Sequence, residues 1–560
     1  MQQLYQLQQT FNNFHPFTSF NGKPSILQKF KEIYGDRPEF IRQQMRRYAR
    51  VLHEFGRIYG VDQKVIVARA PARINLVGMH IDHRGGCVNP IASNEIRIVA
   101  SRRADDQVIL HNLNPKFPPR RFSISQELPS EKIRDWAQWT QEQSDERKRQ
   151  GTSGDWSNYV KAAFLYLQEL HRADDGSYTK KFYGMNALVD GDIQIAAGLG
   201  SSSALVVASA EAAAAINDLS ISPNDLVDLC GTAEWYIGTR GGKGDHAAIK
   251  LSKQGFISNI GFFPITVDYA PFPDDYRVVI CNSLVEAKKA AGAKNIFNER
   301  VAAYEIGMML LKNRFPTLDG QVKHLRDLNT GNLNVDESYL YELIKSLPLR
   351  ISREQLALEL PEREEELRKL YQTHDEPPEG YRVRGVCLFG LAECERSKKA
   401  AEFLHKGDIA AFGQLISFSH EGDRISAYNG SERVKVEAEL DDKVIDQLIE
   451  ALRYGNTSQV ENPDFIGAEN ARLYRQPGGY AVSCEELDTL VDIASDVDGV
   501  LGAGRTGAGL GGCISALVEA ERVQHLIQAV TAEYYQPRNL PTTVEVCFPV
   551  AGAGILKIEN

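Results

Sequence analysis

The chain has few cysteines and no long apolar run. Only eight of its 560 residues are cysteines, and they form no C-x-x-C pair. They are scattered through apolar stretches, so we expect free, buried thiols and a reducing compartment. No window approaches the roughly 18 apolar residues that a membrane-spanning helix needs, and the first residues lack the basic flank and apolar core of a secretory signal. These absences predict a cytoplasmic protein with no membrane partner.

A surplus of basic residues is also missing. The chain carries 64 lysines and arginines against 74 aspartates and glutamates, which gives a formal net charge of −10. Nucleic acids and anionic membranes both attract a basic surface, so we expect neither as a partner. A hydrophobic content of 43% and a charged content of 25% are typical of folded globular proteins. The length is sufficient for two hydrophobic cores.

The hydrophobic pattern divides the chain into three parts. A polar, helical pattern predicts an N-terminal extension, and apolar strand-like runs interrupted by helical stretches predict two α+β domains after it. Two polar, charge-rich segments of the second domain are predicted to be insertions. The predicted units are the extension (1–60), the first domain (61–265) and the second domain (266–560), with insertions near 313–380 and 430–476.

A glycine- and serine-rich segment, Gly198-Leu-Gly-Ser-Ser-Ser-Ala204, follows a run that predicts a strand at 192–196 and opens an alanine-rich helix. Glycine lets the backbone approach a ligand closely, and the start of a helix offers N–H groups and a positive dipole end that suit a phosphate. Serine hydroxyls there can cap the helix or reach a metal ion bound to a nucleotide. A tight turn with serine caps explains the same pattern, so this segment alone leaves both interpretations open.

A second glycine cluster extends from Gly502 to Gly512 and runs directly into a strand-like stretch at 513–518. Such a density of glycine indicates a backbone that passes close to another part of the molecule. A flexible linker is the alternative, but linkers rarely continue into a buried strand.

Ionisable residues are concentrated in two further segments. Residues 70–86 follow an apolar strand at 64–70 and contain two histidines, an aspartate and two arginines. Their H-x-D-H spacing matches no common zinc pattern, so a hydrogen-bonding surface for a polyhydroxylated ligand explains them better. In the other segment, Asp245 follows a glycine-rich run and lies between Lys243 and His246. A lone aspartate after glycine is usually a turn residue.

Taken in order, these four segments resemble the motifs of the GHMP kinase superfamily, and within it the galactokinase branch. Weaker similarities lie at Phe297–Arg300, Ser419–Asp423 and Tyr480–Asp488. The H-I-D-H-x-G-G string in the first motif is more similar to that of galacturonokinases. The resemblance implies a two-domain α+β fold with an N-terminal lobe like ribosomal protein S5, a C-terminal α/β lobe and an active site in the cleft between them.

The resemblance also implies ATP and Mg²⁺ as cofactors and a role for individual residues. Asp245 matches the aspartate that accepts the proton of the sugar's anomeric hydroxyl, and Arg73 matches the arginine that orients it. Ser202 and Glu234 match the residues on the magnesium side. The residues expected to bind the ATP phosphates are Gly198, Leu199, Gly200, Ser201, Ser202, Ser203 and Ala204.

The sugar-binding positions depart from the galactokinase pattern. Met79 stands where galactokinases have a glutamate for the 6-hydroxyl, and Phe297 stands where they have a tyrosine. Arg84 and Lys243 add positive charge, and His246 replaces a glutamine whose role is not assigned. The residues expected to contact the substrate are Met79, His80, Asp82, Arg84, Gly242, Lys243 and Phe297.

These departures lead to the main hypothesis, a kinase that phosphorylates C1 of a uronic acid, galacturonate, because arginine pairs well with carboxylates. Simpler alternatives are that Met79 only packs against the cleft wall, that Arg84 pairs with a surface carboxylate and that Lys243 touches ATP phosphates. The alternative functions are a neutral-sugar kinase for galactose or L-arabinose, and a noncatalytic sugar sensor, which the intact Asp245 disfavours. We expect a monomer or a small homo-oligomer.

Overall fold

The computed structural model describes residues 1–12, 26–286, 291–430, 432–436, 440–454 and 467–557. The strands are β1 (Gln2–Gln3), β2 (Lys64–Val77), β3 (Asn89–Arg102), β4 (Gln107–Asn112), β5 (Arg120–Ser123), β6 (Met185–Gly191), β7 (Phe256–Gly261), β8 (Thr266–Pro271), β9 (Tyr276–Asn282), β10 (Ser426–Asn429), β11 (Glu432–Lys435), β12 (Val500–Thr506), β13 (Cys513–Glu519), β14 (Val544–Cys547) and β15 (Gly554–Ile555).

The helices of the first lobe and of the extension are α1 (Leu4–Asn12), α2 (Ile26–Tyr34), α3 (Pro38–Tyr59), α4 (Ile124–Glu127), α5 (Trp136–Arg149), α6 (Ser157–Leu170), α7 (Ser201–Ile216), α8 (Pro223–Ala233) and α9 (Gly244–Leu251). Those of the second lobe are α10 (Ala291–Arg314), α11 (Thr330–Leu333), α12 (Glu337–Ser346), α13 (Arg353–Glu359), α14 (Glu364–Tyr371), α15 (Val383–His405), α16 (Ile409–Asp423), α17 (Asp442–Tyr454), α18 (Glu485–Ser495) and α19 (Val523–Val530).

The first lobe is built on a sheet in the order β1-β2-β3-β6-β4-β5, with β15 also paired to β2. Strand β2 is buried on both faces, since alternate side chains face opposite sides of a strand. Val65 and Val67 pack with the N-terminal helices, whereas Ile66, Ala68 and Ala70 pack in the core that contains α7. The sheet is therefore a layer between two sets of helices.

The second lobe has a smaller sheet in the order β12-β13-β9-β14. Helices α18 and α19 cover one face of it, and α16 packs against β12. Gly502 and Gly504 lie within β12, where a Cβ on Gly502 would be 1.9 Å from the carbonyl oxygen of Gly413 in α16. These two glycines therefore allow α16 to approach β12 closely. The sequence analysis had grouped them with the glycines of the loop that follows. Helices α10, α12 to α15 and α17 form a separate core beside this sheet.

The mixed helix and strand content confirms the predicted α+β class. The predicted strand at 192–196 is wrong, since β6 ends at Gly191 and Ala196 has a left-handed backbone with φ of 57°. The strand predicted at 64–70 continues past Pro71 to Val77 through a register shift at Pro71, which is how a strand accommodates proline.

Both ends of the described chain add strands to the first sheet. The β1 residues pair with Lys64 and Val65, and the β15 residues pair with Ala68 and Arg69. The first sheet thus includes residues from the predicted extension and from the predicted second domain. The predicted boundary at 265 falls in the turn of the β7–β8 hairpin. None of the helices in the described ranges has the length and apolarity that crossing a membrane requires.

A buried carboxylate joins the N-terminal helices to the first sheet. Glu95 in β3 is 1% exposed and accepts hydrogen bonds from the hydroxyls of Tyr34 (2.5 Å) and Tyr48 (2.7 Å), and from Arg69 Nε (2.7 Å). Burial alone would raise the pKa of Glu95, but the charges of Arg69 and Arg97 and the tyrosine hydrogen bonds outweigh it and lower that pKa to about 2. The extension is therefore held by an ion cluster as well as by apolar contacts.

We predict that Glu95→Gln lowers the free energy of unfolding by about 3–5 kcal/mol at pH 7, because it removes the carboxylate that the buried Arg69 and Arg97 share. Of these two arginines, Arg97 keeps a further ion pair, with Asp190. The folded-state pKa of about 2 lies below the ordinary value of 4.5. This contribution is therefore fully present above that ordinary value and is lost as the pH falls towards 2. Urea unfolding at pH 7 and pH 3 measures both effects.

The matched control is Glu32→Gln, whose carboxylate pairs with Lys29 on the surface and whose loss should cost less than about 1 kcal/mol. The stabilising role of Glu95 would be contradicted if both variants lost the same free energy of unfolding. It would also be contradicted if the difference in that free energy between Glu95→Gln and the parent were as large at pH 3 as at pH 7.

Candidate active site

Arg73 of β2 is the point at which distant segments of the chain meet. Its Nε and Nη2 donate to the two carboxylate oxygens of Asp245 at 2.7 and 3.0 Å. Its Nη1 donates to the carbonyl of Gly198, and its backbone N–H donates to the carbonyl of Leu199 at 3.2 Å. Arg73 is buried, whereas the side chain of Asp245 is 40% exposed. The aspartate is therefore held by a buried, two-pronged partner and remains accessible.

Asp245 occupies the first turn of α9, immediately after the glycine-rich segment. A carboxylate in that position is favoured by the positive end of the helix dipole. The structure thus brings Arg73, Asp245 and the Gly198 segment together, as their predicted roles require. Asp245 is therefore a helix residue with a specific ion pair rather than a turn residue.

The serine loop (residues 198–204) turns sharply into α7. Gly198 and Gly200 have φ values of 77° and 73°, in a backbone region that residues other than glycine rarely adopt. Gly200 is the residue before the helix, and α7 then continues from Ser201 to Ile216. The serine loop therefore combines a close backbone approach with the N-terminus of a long helix, a combination suited to a phosphate.

The glycine loop (residues 507–512) joins β12 to β13 and lies directly against the serine loop. A Cβ on Gly507 would be 2.5 Å from the carbonyl oxygen of Gly198, and a Cβ on Gly512 would be 2.8 Å from that of Ala197. The second glycine cluster is thus explained in part by its contact with the serine loop. The backbones of the two loops approach each other too closely for side chains at these positions.

Glu234 lies beside the start of α7. Its Oε2 accepts a hydrogen bond from the hydroxyl of Ser203 at 2.9 Å, and His246 Nε2 lies 2.7 Å from the same oxygen. The hydroxyl in contact is that of Ser203, one residue beyond Ser202, which was predicted to share a metal with Glu234. His246, whose position had no assigned role, is buried against this carboxylate.

The oxygen donors near the serine loop fit Mg²⁺, which prefers carboxylate and hydroxyl oxygens and is usually held by one or two protein ligands together with phosphates. In the ranges that the structure describes, no group of three or more histidine, cysteine, aspartate or glutamate side chains could hold a metal. The Glu234 carboxylate and the Ser203 hydroxyl are oxygen donors of the kind that such a shell uses.

The H-x-D loop (residues 78–86) carries Asp82 towards α9. Asp82 accepts hydrogen bonds from the N–H of Gly244 and from His83 Nδ1, both at 3.1 Å. Burial alone would raise its pKa, but these two partners lower the pKa of Asp82 to about 2. A Cβ on Gly242 would lie 2.0 Å from Asp82 Oδ2. Gly242 is thus required for the close approach of Asp82, and its contact with the substrate stays a prediction.

His80 is turned towards the second lobe. Its side chain is 4% exposed, stacks on Tyr480 at a ring distance of 4.0 Å and contacts Arg505 through Nε2. Burial and the charge of Arg505 lower the pKa of His80 to about 4, so that its imidazole is neutral at neutral pH. These contacts do not support the predicted direct contact of His80 with a substrate.

The two cations on which the uronate hypothesis rested are engaged by carboxylates of the protein. Arg84 Nη1 contacts Glu305 Oε1, and its guanidinium lies 5.4 Å from the ring centroid of Tyr304. Lys243 Nζ donates to Asp228 Oδ1 at 2.6 Å. The structure therefore favours the simpler alternative for Arg84, in which it pairs with a surface carboxylate of the protein. Lys243 is likewise paired with a protein carboxylate, so it does not support binding of a sugar carboxylate.

Met79 is 5% exposed and belongs to the apolar core formed with α10 and α15. The N–H groups of Gly78 and Met79 both donate to Oε1 of Glu393, at 2.6 and 2.8 Å. The buried Glu393 was not predicted, although a glutamate within the apolar stretch of α15 was a signal that could have drawn attention to it. Phe297, on α10, is half-buried.

Three family models match the chain. One described as the galactokinase galactose-binding signature matches residues 53–103, which include Arg73 and the H-x-D loop. One described as the GHMP kinases N terminal domain matches residues 158–253, which include the serine loop and Asp245. The model described as GHMP kinases C terminal matches residues 448–536, which include the glycine loop.

Curated relatives and a solved structure are similar over nearly the whole chain. A galactokinase of Dictyostelium discoideum is 28% identical, with 92% of this chain and 93% of the relative covered. A galactokinase of Chloroflexus aggregans is 27% identical, with coverages of 87% and 92%. The structure of Lactococcus lactis galactokinase complexed with galactose has a TM-score of 0.58 at 23% identity and covers 90% of this chain and 98% of that chain, so it supports the fold.

We predict that Gly242→Ala destabilises the folded protein by about 1–3 kcal/mol, because its new methyl group would overlap the Asp82 carboxylate. Gly241→Ala is the control, since a Cβ there would have nothing within 4 Å. Thermal unfolding of both variants measures the effect, and equal melting temperatures would show that Asp82 moves aside freely.

Proposed function

We propose that this chain, a member of the GHMP kinase family, is an ATP-dependent kinase that phosphorylates the anomeric hydroxyl of a neutral, galactose-like sugar. The observation that carries the proposal is the contact of Arg73 with both the Asp245 carboxylate and the Gly198 carbonyl. Through that contact the Asp245 carboxylate, the proposed proton acceptor, lies beside the N-terminus of α7, which is suited to a phosphate. The matched family models and the galactokinase relatives support the same activity.

In the proposed reaction, the C1 hydroxyl of the sugar attacks the γ-phosphorus of ATP and its proton passes to a carboxylate oxygen of Asp245. A new sugar O–P bond forms as the bond between the γ-phosphorus and the bridging oxygen breaks, and ADP leaves. Arg73 holds the carboxylate by two hydrogen bonds, so a single orientation is presented to the hydroxyl. Phosphoryl transfer depends mainly on such positioning and on charge neutralisation.

The proposed nucleotide site is the serine loop together with the start of α7. Backbone N–H groups and serine hydroxyls there would bind the phosphates. Glu234 and the neighbouring serines would hold Mg²⁺, which would neutralise phosphate charge when bound. The contact of Ser203 with Glu234 supports this assignment, because it joins the proposed metal carboxylate to the helix that faces the phosphates.

A neutral sugar accounts for the site better than a uronic acid. Asp82, next to Gly242 and Gly244, would bind sugar hydroxyls. A sugar carboxylate would need an available cation, whereas Arg84 contacts Glu305 and Lys243 donates to Asp228. The relatives named above are galactokinases. Because Met79 is apolar and stands where galactokinases have a glutamate for the 6-hydroxyl, we extend the proposal to L-arabinose, which is galactose-like and has no C6.

Asp245→Asn tests the proposed proton acceptor. We predict a fall in kcat of about 10²–10⁴-fold, because the amide does not accept the hydroxyl proton, with nucleotide affinity retained. The control is Asp274→Asn, whose aspartate side chain is 97% exposed and whose turnover should equal that of the parent. A parent that binds both ligands without consuming ATP would instead indicate a noncatalytic sensor.

A screen of ATP consumption with galactose, L-arabinose and galacturonate tests the sugar class. We predict turnover of both neutral sugars and a kcat/KM for galacturonate lower by roughly tenfold or more, since its charge would be desolvated without a free partner. Galacturonate as the fastest substrate would reverse the proposal in favour of the uronate hypothesis.

A further inference from the structure

Arg505, the penultimate residue of β12, touches three separate parts of the molecule. Its Nη1 donates to the carbonyl of Gly507, at the start of the glycine loop. Its Nη2 contacts both Asp423 Oδ2 of α16 and His80 Nε2 of the H-x-D loop. The residue is 2% exposed, so these protein groups form its immediate surroundings.

Each of the two loops that Arg505 contacts continues to one side of the proposed active site. From His80, the H-x-D loop continues to Asp82, which accepts a hydrogen bond from the N–H of Gly244, the neighbour of Asp245. From Gly507, the glycine loop packs against Gly198 of the serine loop. Arg505 therefore stands between the proposed sugar-binding loop and the proposed phosphate-binding loop.

The conformation of His80 depends on these contacts. Its φ of 61° lies in the left-handed region that residues other than glycine seldom adopt, so the surroundings must hold it there. The surroundings are the stacked ring of Tyr480, the guanidinium of Arg505 and the buried carboxylate of Asp423. Loss of Arg505 would remove the donor to His80 and leave Asp423 without its arginine.

We infer that Arg505 is a positioning residue that makes the binding of sugar and the binding of nucleotide favour each other. This inference rests on the proposed function. A ligand that orders one loop also orders Arg505, which then holds the other loop in place. The second ligand therefore pays a smaller cost in conformational entropy when it binds. Linkage requires the effect to be equal in both directions.

The experiment measures the dissociation constant of galactose by calorimetry with and without a nonhydrolysable ATP analogue and Mg²⁺. For the parent we expect the analogue to tighten galactose binding by about fivefold or more, within the usual range of coupling between two sites. For Arg505→Met we expect that ratio to fall to about one, while each ligand alone still binds.

The matched control is Arg384→Met. Arg384 is a buried arginine of α15 in the same lobe, and it donates to the carbonyls of Leu347 and Leu440 and to Asp442, all in the helical part of that lobe. Its variant should keep the ratio of the parent, so a loss of coupling that it shares with Arg505→Met would reflect general destabilisation and overturn the inference.

A second variant, Arg505→Lys, covers the case in which Arg505→Met does not fold. It keeps a positive charge beside Asp423, but one ammonium group cannot span His80 and Gly507 as the guanidinium does. We expect a folded protein whose ratio has fallen to about one. A parent ratio of one, or an unchanged ratio in Arg505→Lys, overturns the inference, whereas a parent that binds neither ligand refutes the proposed function instead.

Discussion

The site depends on one buried arginine with two kinds of partner. Arg73 is fixed in β2, and from there its guanidinium reaches a carboxylate on α9 and a carbonyl of the serine loop. A charged hydrogen bond is stronger in a buried setting than in water, and a two-pronged pair also fixes the angle of the carboxylate. This one side chain therefore joins α9 to the loop that precedes α7, in addition to the direct packing of the two helices.

Buried carboxylates perform a similar task elsewhere in the molecule. Glu95 holds the N-terminal helices to the first sheet, and Glu393 holds the backbone of the H-x-D loop from the second lobe. In both cases the carboxylate is buried and has arginine as one of its partners. Burying such charges is costly unless every partner is in place. These clusters therefore specify how the elements pack rather than simply adding stability.

How much could be predicted from the sequence depends on the range of the contact. The serine loop and the surroundings of Asp245 were predicted because their glycines and polar residues are adjacent in the chain. Glu393 and Arg505 were missed because the H-x-D loop that both contact lies more than 300 residues away in the chain, at positions that no spacing indicates. The uronate hypothesis lost its support for the same reason. Arg84 and Lys243 were counted as available charges, but their partners, Glu305 and Asp228, belong to other helices.

The class of the fold was easier to predict than the boundaries between its domains. Alternating apolar patterns identify strands, but they do not identify the sheet that a strand joins. This matters for the last strand, β15, which returns to the first sheet after the chain has formed the second.

The chain consequently crosses between the lobes twice, once between β8 and β9 and once between β14 and β15. Between those crossings the lobes share one apolar core, in which Ile280 and Cys513 of the second sheet are buried together with residues of the first lobe. The lobes are therefore joined by buried apolar surface as well as by the chain. An isolated first lobe that ended at the β8–β9 crossing would also lack its β15 partner and expose part of the edge of β2, a surface prone to aggregation.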